Sequence, residues 1–89
     1  MAKLFVHHKV ADYGQWRTVF DSVTNTRTSY GMTAQAVMQA AGDTNDIVVI
    51  TDWKTVDQAR AYATSPDLKQ AMQKAGVISQ PEVLFLEEA

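Results

Sequence analysis

Residues 46–53 read DIVVITDW, and residues 54–76 continue KTVDQARAYATSPDLKQAMQKAG. The first stretch is rich in Val and Ile and has the length of a strand. The second opens on Thr55 with Gln58 three residues later, a capping-box pair, and carries Val56, Ala59 and Ala63 on one helix face. It restarts at Ser65, with Pro66 at the first helical position and Gly76 as terminator, and Leu68, Met72 and Ala75 line its inner face. This is a strand followed by a helix in two pieces.

Upstream, KLFVHHKV (3–10) has strand composition, with Phe5, Val6 and Val10, and stops at the turn-like Ala11-Asp12. Asp12 is placed as an N-cap with Gln15 three residues on. Tyr13, Trp16, Phe20, Val23, Arg27 and Tyr30 then recur at steps of three and four, so the spacing predicts a helix over 12–30, closed by Gly31. The TNTRT segment at its end is weak helix former. TAQAVMQA (33–40) alternates as a strand, AGDTND (41–46) is a turn, and after the linker VISQP a last strand EVLFLEE covers 82–88. The order is β-α-β-β-α-β. The fold class is α+β: one ferredoxin-like domain over 1–89, a four-stranded antiparallel sheet with its helices on one face.

Two helices cover only one face of four strands. Yet VVI (48–50) and VLFL (83–86) are apolar at consecutive positions, and consecutive strand residues point to opposite faces. The second face would leave Val, Ile, Leu and Phe in water, beyond the patch a monomer usually tolerates. A second copy of the same sheet, related by a two-fold axis, is the simplest cover. The chain is therefore expected to form a homodimer, an α+β barrel.

Composition removes several classes. The 8 basic residues are scattered among 10 acidic ones, with no stripe able to track a phosphate backbone, so nucleic acid is not an expected partner. The absence of cysteine excludes disulfides, thiol nucleophiles and Cys-ligated metals. No apolar run reaches the length of a membrane span, and no leader-like segment precedes the first strand; a cytoplasmic protein with no membrane partner is the expectation. No glycine-rich phosphate loop, serine-centred elbow or paired-carboxylate motif is present, and no cofactor is implied.

The stretches LFVHHKVADYGQWRTVFDS (4–22), VVITDWKTVDQARAYATSPDLKQAM (48–72) and PEVLFLEE (81–88), in this order, resemble the dimeric α/β-barrel superfamily. That group includes antibiotic-biosynthesis-monooxygenase-like domains, small polyketide cyclases, haem-degrading monooxygenases and stress-responsive barrel proteins. The most specific feature is a strand ending in an aromatic residue, Trp53, followed by a short turn, an alanine-rich helix and the Ser-Pro restart. The resemblance implies two sheets that face one another and enclose a chamber. It fixes fold better than function, because one fold hosts several chemistries.

His7 and His8 are the only histidines. Being adjacent on a strand, they face opposite sides and cannot both ligate one ion within a subunit, so no metal site is expected. Periodicity does not say which faces the helices. In haem-degrading relatives a polar residue near the end of the first strand faces the chamber, and His8 lies closest to that place. The resemblance also implies a haem-ligating histidine about ten residues after the aromatic residue; Ala63 stands there, so haem degradation by that pattern is not expected. His8 is the candidate catalytic base, since imidazole changes charge nearest neutral pH. Trp53 and His7 are the candidate ligand contacts. Arg17, Arg27 and Arg60 are read as solvated helix charges, and Tyr13, Trp16 and Tyr30 as core or interface.

The resulting expectation is a protein that encloses an apolar or aromatic small molecule. The resemblance implies, for an active member, a cofactor-independent monooxygenase or cyclase-like reaction on a polycyclic or phenolic substrate. The rival is a non-catalytic ligand-sensing, stress-related or assembly protein whose barrel is filled by side chains. A cavity of roughly 300 Å3 or more would favour the first, and a solid interior the second.

Overall fold

The computed structural model describes residues 2–89. Eight elements run in order along the chain: β1 (Ala2–Lys9), α1 (Tyr13–Ser22), α2 (Thr24–Tyr30), β2 (Met32–Ala40), β3 (Asp43–Trp53), α3 (Val56–Ala63), α4 (Pro66–Ala75) and β4 (Glu82–Glu87). The strands form one sheet in the order β2-β3-β1-β4, and every pairing is antiparallel. This is the ferredoxin-like α+β arrangement expected from the sequence.

The caps are those the sequence signals. Asp12 Oδ2 accepts from the Gln15 N–H at 2.9 Å, Thr55 Oγ1 from Gln58 N–H at 3.2 Å, and Ser65 Oγ from Leu68 N–H at 3.2 Å. Gly31 (φ 115°) and Gly76 (φ 76°) close α2 and α4 in the left-handed conformation that L-residues avoid.

Most strand ends fall within one residue of expectation, and two boundaries differ by more. The helix read over 12–30 is two helices, broken at Val23 (φ −108°, ψ 16°). Ser22 Oγ donates to the Val19 carbonyl at 2.6 Å, and the Thr and Asn beyond it favour local side-chain bonds over a continuous helix. β3 begins at Asp43 rather than Asp46, because the turn is only Ala41-Gly42 and Ala40 already pairs with Asp43. Gly42, at φ 86°, permits that tight connection.

The burial of β1 alternates without a break. Ala2, Leu4, Val6, His8 and Val10 are buried under the helices, whereas Lys3, Phe5, His7 and Lys9 lie on the other face. On β3 the inward set is Ile47, Val49, Thr51 and Trp53. The core falls into two clusters: Leu4, Val6, Met32, Trp53, Ala59 and Tyr62 in one, and Val10, Trp16, Phe20, Ile47, Val49 and Ala75 in the other.

The face away from the helices is apolar at its centre. Register places Phe5 opposite both Ile50 and Leu84, and Val48 opposite Met38. Met38, Leu84 and Leu86 are 48%, 46% and 41% exposed, and large apolar side chains left open together on one face mark an interaction surface. Charged groups frame this patch, with Lys3 paired to Asp52 toward one end and His7 to Asp46 toward the other. No helix among the described residues is long and apolar enough to cross a membrane.

Candidate functional site

Between the sheet and the helices lies a cavity of about 60 Å3. Its walls are mostly apolar, from Leu4, Val6 and Val49 on the sheet to Phe20, Leu68 and Met72 on the helices. Four polar side chains reach it: His8 from β1, Thr51 from β3, Arg27 from α2 and Tyr62 from α3. All four are nearly inaccessible to solvent.

His8 lies 5.9 Å from Trp16, ring centre to ring centre, with the rings tilted by 56°. Neither Nδ1 nor Nε2 has a hydrogen-bond partner among the described residues. Neutral imidazole offers one N–H donor and one lone pair, and here both are left available. Burial lowers the His8 pKa from its ordinary 6.5, and the neighbouring His7 lowers it further, against a smaller opposing pull from Asp46. At neutral pH His8 is therefore uncharged and able to accept a proton.

Arg27 overturns the expectation of a solvated charge: it is only 3% exposed. Its guanidinium carbon stands 3.8 Å from the centre of the Phe20 ring. Nη2 donates to the Phe20 carbonyl at 2.9 Å, to Thr24 Oγ1 at 3.1 Å and to Gln35 Oε1 at 3.1 Å, whereas Nε has no partner among the described residues. Burial depresses its pKa, but guanidinium starts so high that it stays charged. Burial pushes the Tyr62 phenol up, and the polar contact with the Arg27 guanidinium, followed by its charge, partly offsets that.

The two other residues singled out from the sequence lie elsewhere. His7 is on the opposite face of the sheet, where Nε2 is 2.6 Å from Asp46 Oδ1 and Nδ1 is 3.4 Å from Glu82 Oε1. The hydrogen bond to Asp46 is the main reason its pKa is raised. Trp53 is fully buried and does not line the cavity. Its Nε1–H donates to Thr51 Oγ1 at 2.8 Å and its ring stacks on Tyr62 at 5.4 Å, so it braces two of the residues that do. His8 faces the helices of its own chain, not a chamber between two sheets.

Arg27, Thr51 and Tyr62 are site residues that the sequence does not single out, though it carries signals for them. Arg27 shares the helical spacing of Trp16, Phe20 and Val23, a position that faces the core. Tyr62 lies three residues after Ala59, and Thr51 is the polar member of the inward set on β3. Among the described residues no three His, Cys, Asp or Glu side chains are grouped to hold a metal ion.

No family profile and no curated protein matches this chain. Solved structures do. A proposed antibiotic biosynthesis monooxygenase from Bordetella bronchiseptica superposes with a TM-score of 0.82 at 13% identity, over 99% of this chain and 96% of that one. SnoaB, a cofactor-independent oxygenase from Streptomyces nogalater, gives 0.75 at 14% identity, over 99% and 94%. A conserved protein from Methanosarcina mazei gives 0.79 at 11% identity, over 99% and 92%. The chain has the fold of antibiotic-biosynthesis-monooxygenase-like structures, and the resemblance read in the sequence is met at that level.

The two histidines set opposite pH dependences. Because folding lowers the His8 pKa, the unfolded chain binds more protons near 6.5, and stability falls as pH drops through that region. Because folding raises the His7 pKa, its contribution is full below 6.5 and is lost as pH rises through the folded value. Urea unfolding at about pH 5 and about pH 7.5, either side of the usual imidazole range, should show a smaller acid loss in His8→Gln than in the wild type. His7→Gln should show a larger one. Equal losses in all three proteins would contradict this electrostatic account.

Proposed function

We propose that this chain is a homodimeric, cofactor-independent oxygenase in which each protomer's cavity receives a small phenolic or enolisable molecule and His8 removes its proton. The unpartnered His8 imidazole, buried against an apolar cavity, is the observation that carries the reading. A buried polar group without a protein partner is costly to keep and calls for a reason, and a catalytic role is one such reason. The deprotonated substrate would be electron-rich enough to react with O2 directly. One oxygen atom would enter the substrate and the other leave as water, the substrate supplying all the electrons. Likeness of fold to a cofactor-independent oxygenase supports this reaction class. The cavity, about 60 Å3, is smaller than the roughly 150 Å3 of an apolar cavity that takes up benzene, so a one-ring substrate enters only if side chains lining it move aside.

The cavity is well below the roughly 300 Å3 of drug-sized sites, which favours the second reading, a non-catalytic stress-related, assembly or sensing protein whose interior is largely filled by side chains. The two readings part on His8. For an enzyme, oxygen uptake with a panel of hydroquinones and phenols should fall by about 10²-fold or more in His8→Gln, the usual worth of a general base, while the thermal midpoint holds. Undiminished uptake in that variant would overturn the catalytic role.

The homodimer rests on the open sheet face, where Phe5, Ile50, Leu84 and Leu86 lack cover within the protomer. A partner sheet would bury this patch and keep its charged frame at the rim. Native mass spectrometry at micromolar concentration should give the mass of two chains, and Leu84→Glu should give one. A one-chain mass for the wild type would contradict the assembly.

A further inference from the structure

The guanidinium of Arg27 is the one charged group whose place in the cavity proton transfer by His8 leaves unexplained. Among the described residues it has no carboxylate within ion-pairing distance. Its nearest acid on α1, Asp21, is bound by Arg17 instead. Nη2 is held by three neutral acceptors and the Phe20 face covers one side of the plane. Those contacts fix the group in position without neutralising it. The buried Nε–H is left unpartnered beside apolar walls. A buried cation in such surroundings is stabilised chiefly by an anion, and a charge-assisted bond to an oxyanion is about twice as strong as one to a neutral acceptor.

We propose that Arg27 makes this cavity selective for a small organic monoanion, whose oxyanion accepts from the Arg27 Nε–H while its apolar body lies against Phe20, Leu68 and Met72. The inference rests on the cavity being the ligand site. A single charge is specified because one cation faces the space and His8 is neutral. Phosphate and dicarboxylates are disfavoured, since no second cation meets their further charge: the other polar side chains at the cavity, His8, Thr51 and Tyr62, are neutral and the rest of the wall is apolar. Carboxylates, phenolates and enolates share the required chemistry: one delocalised oxyanion on an apolar frame. In the oxygenase reading, Arg27 would also favour the ionised form of the substrate and so help His8 take its proton, acting as a binding residue throughout.

The test uses matched pairs in mildly alkaline solution, where 4-nitrophenol is ionised: isobutyrate with isobutyramide, benzoate with benzamide, and 4-nitrophenolate with 4-nitroanisole. Binding is followed in the wild-type protein by the 1H–15N signals of the Arg27 Nε–H and the Trp16 indole. At least one anion should shift the Arg27 signal and bind about tenfold or more tightly than its neutral partner, in line with the stronger charge-assisted bond. The pair that responds tells carboxylate from phenolate. In Arg27→Gln the preference for the anion should vanish. Neutral partners binding as tightly as the anions, or an unchanged preference in Arg27→Gln, would overturn the proposal and leave the cavity reading standing. If no probe of either charge moves the Trp16 signal, the cavity is not a ligand site and both fall together. The wild-type comparison decides the matter even if the variant does not fold.

Discussion

A strand sends alternate side chains to opposite faces, and in the central strand β1 that constraint settles both the core and the site. Leu4, Val6 and Val10 can reach the helix layer only if His8 goes with them, so an imidazole enters the core at the spacing of an aliphatic residue. Its neighbour His7 is carried to the other face by the same rule and meets Asp46 and Glu82. Two identical side chains, adjacent in sequence, thereby acquire opposite electrostatic environments. One is held neutral by desolvation, and the other favours its charged form through carboxylate contacts.

The surroundings of His8 are built to keep a small space polar at a few points and dry elsewhere. Trp16 and Phe20 stack at 4.8 Å and form a flat aromatic wall on α1. Phe20 also carries the Arg27 guanidinium on its face, so one side chain both closes the cavity and seats its cation. Across the space, Trp53 holds Thr51 by a hydrogen bond and Tyr62 by stacking. Thr51 Oγ1 in turn reaches the Leu4 carbonyl at 3.5 Å, tying β3 to β1 beside the site. Rigid supports of this kind hold the polar groups around the cavity in fixed positions.

Much of the fold is legible in the sequence because its signals are local. Capping residues mark helix starts, Gly31 and Gly76 mark helix ends, and the consecutive apolar residues of β3 and β4 reveal two faces needing cover. The break at Val23 is less legible, since the apolar spacing continues across it and only the Thr- and Ser-rich composition hints at interruption. The site is legible in part. Alternation separates His7 from His8 but carries no sign, so which one turns inward depends on where the helices pack. Arg27 illustrates the opposite error: residue type suggests solvent, whereas its position on the Trp16–Phe20 face indicates the core. Thr51 and Tyr62 need tertiary packing to be seen, because each joins the cavity through contacts between distant segments.

Neutron diffraction from crystals grown at neutral pH tests the central claim most directly, because it shows both the direction of the His8 ring and its protonation. The expected result is a singly protonated imidazole turned toward the helices beside Trp16, with neither ring nitrogen bonded to a protein group and the cavity open between it and the Arg27 Nε–H. A doubly protonated ring, or one bonded to protein atoms with the cavity filled by side chains, would contradict it.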